Sequence, residues 1–448
     1  MRQRSQVLFL RPLWSSLTVI VLTILMSGAA LASESPTTDW PNFRGPWKNG
    51  NAQPPGSKEM RGLPLTWSET ENIAWKTALP NEGHSSPVIM DGRLWLTAAT
   101  PDGRESYVMC VDIETGEILL NKRLFQTEHP EPLGNNINGY ASPSPVLEPG
   151  RVYVHFGSYG TACLDTLTHE VLWARRDLPC RHYRGPGLSP LLYENLLILS
   201  FDGVDQQYVT ALDKKTGETV WRTDRSTVWE DLDEDGLPRN EGDYRKAFCT
   251  PIVIEWAGRK QLISLGAKAG FAYDPYTGAE LWKTSHAGHS SSPRPLFGNG
   301  FVYVTTGHSQ TELWAIRPDG EGDVTETHVA WRVTDRIVPE QPSPVLVDDL
   351  IYMVSNGGIA SCIDALTGEV LWRERIGGNY MASPIHADGR IYVSSMQGTS
   401  TVMRAGRAFE LLASNRLESG CFASPAVSGC LLYTSPSPRD RTRSRMPS

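Results

Sequence analysis

The sequence predicts an all-β protein, an eight-bladed β-propeller of four-stranded antiparallel blades. Three observations predict it. First, residues 343–376 hold three short apolar runs rich in Val, Ile, Leu and Tyr, a Thr367-Gly368 turn, and a fourth run around Trp372. Asp-Asp, Asn-Gly-Gly and Thr-Gly separate these runs as tight turns separate antiparallel strands. Second, the unit recurs. Ser or Thr before Pro opens a first strand at residues 86, 144, 189, 250, 292, 343, 383 and 424, and a fourth strand is marked by Trp173, Trp221, Trp282, Trp331 and Trp372, with Leu120 and Leu412 in weaker copies. Third, the starts and ends are offset: Ser424 has no end after it, and the run 73–79 around Trp75 has no start before it. Together these strays make one unit. That predicts a ring closed by strand 73–79 pairing with the C-terminal blade, leaving no blade exposed at either end, where an open solenoid would carry polar caps.

Taken in order, the chain begins with Arg2, Arg4 and Arg11, an apolar stretch at 17–26 and Ala30-Leu31-Ala32. These are the charged region, apolar core and small-x-small cleavage site of a signal peptide. Residues 1–32 are expected to be removed on export, which predicts a periplasmic or secreted protein. The apolar stretch is ten residues long, against the ~20 a spanning helix needs, so no transmembrane span is expected after cleavage. Residues 33–72 precede the propeller, which is expected over 73–429. Residues 430–448 bring four Arg within seven residues, resemble the read-through of a sequencing adapter, and are expected to be a non-native tail.

Of the 448 residues 40% are apolar, with 40 Gly, 32 Pro and 14 Trp, a composition suited to a turn-rich, well-packed β protein. The formal charge is −8, and because the leader and the tail each carry +3, residues 33–429 carry −14. An acidic body repels polyanions, so nucleic acid is excluded as a partner. Cys110, Cys163 and Cys362 each stand two residues before an Asp, where Ala211 and Ala272 stand in other units. They read as small apolar strand residues, not half-cystines.

Between third and fourth strands the better units spell small-x-Asp-x-x-Thr-Gly-x-x-x-Trp: ALDKKTGETVW at 211–221, AYDPYTGAELW at 272–282 and CIDALTGEVLW at 362–372. Gly tolerates positive φ, Asp caps the turn amides, and Trp offers a large apolar plate with one N–H donor. The unit at 163–173 keeps the frame with His169 for Gly, while the first, fifth and seventh depart from it at Leu120, at 317–320 and at 404–412. This motif resembles the pyrroloquinoline-quinone (PQQ)-type propeller repeat, shared by quinoprotein alcohol dehydrogenases and by the propeller scaffold of bacterial outer-membrane protein assembly. The resemblance covers about residues 73–429. It implies that Trp75, Trp173, Trp221, Trp282, Trp331 and Trp372 dock between neighbouring blades, and that 33–72 strap the ring. Trp40 and Phe43 of that segment are equally readable as a partner-binding patch.

The loops entering the first strands are expected to emerge on one face around a central funnel, bringing together His84, Asn138, Tyr140, Arg184, Arg245, Lys246, His289, Gln341, Asn379 and Tyr380. Converging polar groups in a concave mouth mark a ligand site, although each could equally tie neighbouring loops together. The quinone enzymes hold their cofactor between a Trp floor and a vicinal disulfide, with Ca²⁺ on carboxylate and amide oxygens and an Asp base. The sequence has no vicinal Cys pair, so the repeat alone does not imply the cofactor. Asp231, Asp233 and Asp235 before Gly236 match the first half of a calcium loop. Position twelve is Gly242, which leaves Glu241 or Asp243 as the last ligand. The expected function is a non-catalytic exported scaffold, with no cofactor required, that binds a protein partner or small ligand in the cell envelope. The alternative is a PQQ-dependent alcohol or sugar oxidoreductase.

Overall fold

Pairing between neighbours in the chain organises the fold. In the computed structural model, which describes residues 39–54, 56–57, 59–134 and 137–435, the sheets are built from consecutive segments, except that sheet 4, over 252–285, gains one further strand from the chain of sheet 5. The predicted signal peptide and residues 436–448 lie outside the described residues. Sheet 6 shows the unit: strands Val345–Val347, Leu350–Val354, Ile359–Asp364 and Val370–Arg375 pair antiparallel in that order. Sheets 1, 2, 3, 5 and 7 repeat the order over 88–126, 146–175, 191–224, 296–333 and 385–416. Second and third strands are covered on both faces by adjacent sheets, so they read as continuous apolar runs. Fourth strands form the exposed outer edge, as the mostly open Val370–Arg375 illustrates. No helix among the described residues is long and apolar enough to cross a membrane.

Turn chemistry terminates each third strand. In sheet 6 the Asp364 carboxylate accepts from the amides of Leu366 (3.0 Å) and Thr367 (3.1 Å), and the Gly368 amide donates to the Asp364 carbonyl at 2.9 Å. Gly368 has φ +78°, and an added Cβ would lie 2.8 Å from the Trp331 ring of sheet 5. The turn of one sheet is thus the seat for the indole of the sheet before it. Trp173 donates to Lys214 O at 3.0 Å, Trp221 to Pro275 O at 3.1 Å and Trp372 to Gly406 O at 3.1 Å. His169 takes the glycine position of sheet 2 at φ +61°, a conformation that costs an L-residue about 1–2 kcal/mol. It fits because sheet 1 carries Leu120 in place of an indole.

The insertion after Arg317 adds a fifth strand, Gly322–Asp323, parallel to Glu280–Ser285 of sheet 4. Sheet 5 therefore has no Thr-Gly turn, and Trp282 donates instead to Gln261 Oε1 (2.7 Å), whose amide reaches Pro318 O (2.7 Å).

Sheet 8 contains two strands, Ala426–Ser428 and Leu431–Tyr433. The pattern therefore continues past Cys430 to Tyr433. Among the described residues 73–79 join none of the sheets, although the Trp75 ring lies 5.9 Å from that of Tyr433 in sheet 8.

The Ser/Thr-Pro residues do more than open strands. The amide of Ser86 donates to Ser144 Oγ (2.9 Å), Ser144 to Ser189 (2.9 Å), Ser189 to Thr250 (3.0 Å), Ser343 to Ser383 (2.9 Å), Ser383 to Ser424 (3.0 Å) and Ser424 to Ser86 (3.0 Å). The N-terminal segment lies against these inner strands. Trp40 exchanges backbone bonds with Ile89 at 2.8 and 2.9 Å, Leu147 donates to Pro41 O at 2.9 Å, and Ala52 donates to His386 O at 2.9 Å. The buried Arg44 guanidinium donates to the carbonyls of Pro384 and Pro344. All seven cysteines are free, and burial pushes the Cys110, Cys163 and Cys362 thiols up to about 12.

Candidate functional site

A cavity of about 350 Å³ opens on the face from which the loops enter the first strands. Its lower wall is the hydroxyl series of Ser86, Ser144, Ser189, Thr250, Ser292, Ser383 and Ser424. Phe43 of the N-terminal segment reaches it as well, held where its carbonyl accepts from Arg294 (2.6 Å). Burial and the neighbouring Arg294 lower the Arg44 guanidinium to about 9, and burial lowers Arg294 to about 10. Backbone carbonyls, not carboxylates, accept from both cations.

Of the ten predicted funnel residues, the structure brings His84, Asn138, Arg184, His289 and Gln341 to this cavity. His84 stacks on Phe422 at 3.9 Å. Asn138 donates to Gly185 O (3.0 Å) and Pro186 O (3.2 Å), tying two entry loops together. Arg184 forms a two-pronged pair with Asp243 at 3.0 and 3.2 Å, and Asp243 also contacts the buried Lys246 ammonium. Burial works to raise the Asp243 carboxyl, but hydrogen bonds from Arg184 and Lys246 outweigh it and leave it below its usual range. Burial lowers His289 to about 4, so its ring is neutral at pH 7. His308 faces Glu340 at 3.2 Å.

The other five predicted residues lie elsewhere. Tyr140 donates to Glu131 O (2.8 Å), and Arg245 clamps Asp231 beside the Trp229 ring. Lys246 turns under the wall between Tyr183 and Phe248. Asn379 is exposed and its amide donates to Gln397 (2.8 Å), while Tyr380 is a core residue, 1% exposed. Side-chain direction in these loops depends on what the next loop offers, which the sequence does not display. The predicted calcium set is not assembled either. Asp231 is engaged by Arg245, Asp233 caps the amides of Asp235 (3.0 Å) and Leu237 (2.9 Å), and Glu241 is exposed. Among the described residues no group of three or more His, Cys, Asp or Glu could hold a metal.

Sequence reasoning missed the aromatic wall of Phe43, Phe248 and Phe422 and the serine floor. The recurring Ser/Thr-Pro pair was the available signal for the floor. The residues present do not fit the quinone. The aromatic groups are Phe, the two carboxylates Asp243 and Glu340 are engaged by Arg184 with Lys246 and by His308, and no cysteines are paired.

The insertion between sheets 3 and 4 leaves Val228 81%, Leu232 49%, Leu237 62% and Tyr244 40% exposed, and Ile137 of the cavity lining is 46% exposed. The Tyr244 ring stands edge-on to the cavity residue His289 at 4.8 Å.

Sheets in this order, with indoles seated on neighbouring turns, define a β-propeller of PQQ-like repeats. The chain belongs to the family described as outer membrane protein assembly factor BamB, whose model matches residues 66–224 and 205–442. It is similar to the outer membrane protein assembly factor BamB of Yersinia pestis, 23% identical over 232 residues, 41% of this chain and 56% of that protein. The match thus spans about half the relative's length. The crystal structure of BamB from Moraxella catarrhalis superposes with a TM-score of 0.52 at 14% identity, over 80% of this chain and 94% of that one. A europium-containing methanol dehydrogenase superposes with a TM-score of 0.50 at 13% identity, over 88% and 87%. Likeness at such identity is one of fold, which scaffolds and enzymes share.

Proposed function

We propose that the protein is an exported, non-catalytic scaffold of the bacterial envelope: a closed eight-bladed propeller that holds a protein partner at its funnel mouth during outer-membrane protein assembly. The observation that carries this reading is the run of exposed apolar side chains on the insertion, Val228, Leu232, Leu237 and Tyr244, which meets the cavity where the Tyr244 ring stands edge-on to His289. An exposed apolar cluster bordered by polar groups is a protein-docking surface. A cavity with no uncommitted carboxylate or metal-ligand set is poorly equipped for oxidation chemistry. Family membership supports the same class. The Ser424–Ser86 bond and eight successive sheets support the closed ring.

The test places a photo-crosslinking amino acid at Tyr244 and at Leu237, with Tyr276, an exposed turn residue, as control. In the native bacterium the first two positions should trap one envelope protein and the control should not. Leu237→Asp with Val228→Asp should abolish the cross-link and lower the level of folded outer-membrane proteins, without changing the thermal midpoint. Equal trapping at Tyr276, or unchanged outer-membrane protein levels when the gene is deleted, would overturn the proposal.

A further inference from the structure

Two residues before its first strand every unit carries Ser or Thr, except that sheet 5, whose first strand begins at Leu296, carries Arg294. The Arg294 amide keeps its place in the series of bonds between sheets, donating to Ser343 Oγ at 3.0 Å as Ser343 donates to Ser383. Ser292, two residues earlier, belongs instead to a second tier with Phe248 and Phe422. In sheet 5 a guanidinium therefore replaces the hydroxyl of the ring.

Six hydroxyls of the ring line the cavity, on Ser383, Ser424, Ser86, Ser144, Ser189 and Thr250, and in sheet order they form an unbroken arc whose ends flank Arg294 and Ser343. All six residues are buried. Each oxygen accepts an amide proton from the sheet before it, and a hydroxyl used in that way keeps its own O–H to donate. Among the described residues no protein group accepts any of these six protons. The arc is thus a row of buried donors facing one cavity.

Cations lie beside the same arc. Arg294 Nη2 donates to Pro251 O at 2.9 Å, next in the chain to Thr250, and Arg44 reaches Pro384 O, next to Ser383. Lys48 Nζ donates to Leu192 O at 3.1 Å. Among the described residues none of the three is paired with a carboxylate; their acceptors are carbonyls. Burial, and after it the Arg294 charge, lower Arg44 to about 9 and Lys48 to about 8, so both feel the repulsion of Arg294. Uncompensated positive charge under a low-dielectric cleft focuses its field there, and an anion relieves the repulsion.

The tier above the arc supplies apolar walls. Phe422, stacked on His84, stands in the loop entering sheet 8 and Phe248 in the loop entering sheet 4, with the small residues Ser142 and Gly187 between them. An added Cβ on Gly187 would lie 2.8 Å from the Phe248 ring, so that ring leans into the space the glycine leaves. With Phe43 also in its lining, the cavity of about 350 Å³ has room for a compact apolar body as well as an oxyanion.

We propose that this cavity binds a soluble phosphate monoester with a compact apolar body. The three terminal oxygens accept from the hydroxyl arc, Arg294, Arg44 and Lys48 supply the counter-charge beside it, and the body packs between Phe248 and Phe422. Three oxygens meet a row of separate donors better than the two of a carboxylate do. Asp243 and Glu340 do not take these donors, because Arg184 with Lys246 and His308 engage them. The site is distinct from the exposed insertion and does not rest on the partner reading.

The experiment uses the purified full chain alone, so its outcome does not depend on any partner. Isothermal titration calorimetry should show saturable one-to-one binding of phenyl phosphate. Inorganic phosphate, which lacks the body, and benzoate, which lacks the third oxygen, should bind at least about tenfold more weakly, and benzyl alcohol should not bind. These comparisons leave the protein untouched, so misfolding cannot imitate them. Arg294→Ser restores a hydroxyl to the ring and removes the charge; it should weaken phenyl phosphate binding at least about tenfold, while Arg294→Lys should keep it within about threefold. Phe248→Ala should erase the advantage of phenyl phosphate over inorganic phosphate. No saturable binding of phenyl phosphate, equal binding of benzoate or benzyl alcohol, or unchanged affinity in Arg294→Ser would each overturn the proposal.

Discussion

The amide of Ser424 donates to the hydroxyl of Ser86 at 3.0 Å, joining the last sheet to the first across 338 residues of chain. Both residues are buried, at 6% and 5% exposure. Ser86→Ala removes the acceptor and leaves a buried amide unpaired, which costs about 1–3 kcal/mol. The expected readout is a lower unfolding midpoint together with faster exchange of the Ser424 amide. Its counterpart at Ser383, which donates to Ser424 Oγ, should be little affected.

Two glycines with similar backbones separate strain from collision. Gly368 has φ +78° and its added Cβ would meet the Trp331 ring at 2.8 Å, whereas Gly389 has φ +67° and open space. Gly389→Ala should cost about 1 kcal/mol from the left-handed backbone. Gly368→Ala adds the displaced indole and should cost about 2–4 kcal/mol in all. Urea unfolding of both variants provides the comparison.

Arg225 and Asp202 form a pair with side chains 1% and 0% exposed, joined at 2.5 and 2.7 Å, with the guanidinium over the Phe271 ring. Arg225→Met alone strands a buried carboxylate and should cost about 3–5 kcal/mol. Adding Asp202→Leu should recover most of that loss, because the pair spends much of its attraction on its own desolvation. A urea-unfolding double-mutant cycle measures the difference.

Stability should fall on mild acidification. Burial lowers His155 to about 3 and His182, His286 and His386 to about 4, from 6.5. The unfolded chain binds these protons as pH drops below 6.5, while the folded chain refuses them until pH 3–4. Their stabilisation is therefore complete above pH 6.5 and lost between 6.5 and about 4, by up to about 1.4 kcal/mol per pH unit for each histidine. Thermal midpoints at pH 8, 6 and 4.5 should show the decline. His286→Phe, at a site edge-on to Trp314, should flatten it while preserving the midpoint at pH 8.

Much of the architecture was legible because its signals are local. Asp364 and Gly368 make a turn with each other, and Trp372 lies four residues beyond, so one window of sequence holds a unit's turn and its indole, though the indole's seat lies on the next sheet. The candidate site was half legible. His84, Asn138, Arg184, His289 and Gln341 line the cavity, while Tyr380 packs into the core and Arg245 is captured by Asp231. All of these sit in first-strand entry loops with similar composition, and only contact with a neighbouring loop decides which way each side chain turns. Phe43 could not be found this way. It reaches the cavity from a segment separated from its anchor Arg294 by 251 residues.

By itself the sequence determined the repeat and the turns, since each follows from backbone chemistry within about a dozen residues. Only the tertiary structure decided which polar groups face the axis, that Asp243 is held by Arg184 and Lys246, and that the Trp75 and Tyr433 rings lie 5.9 Å apart. Those outcomes depend on segments brought together from opposite ends of the chain, where packing and electrostatic pairing act and local propensity has no say.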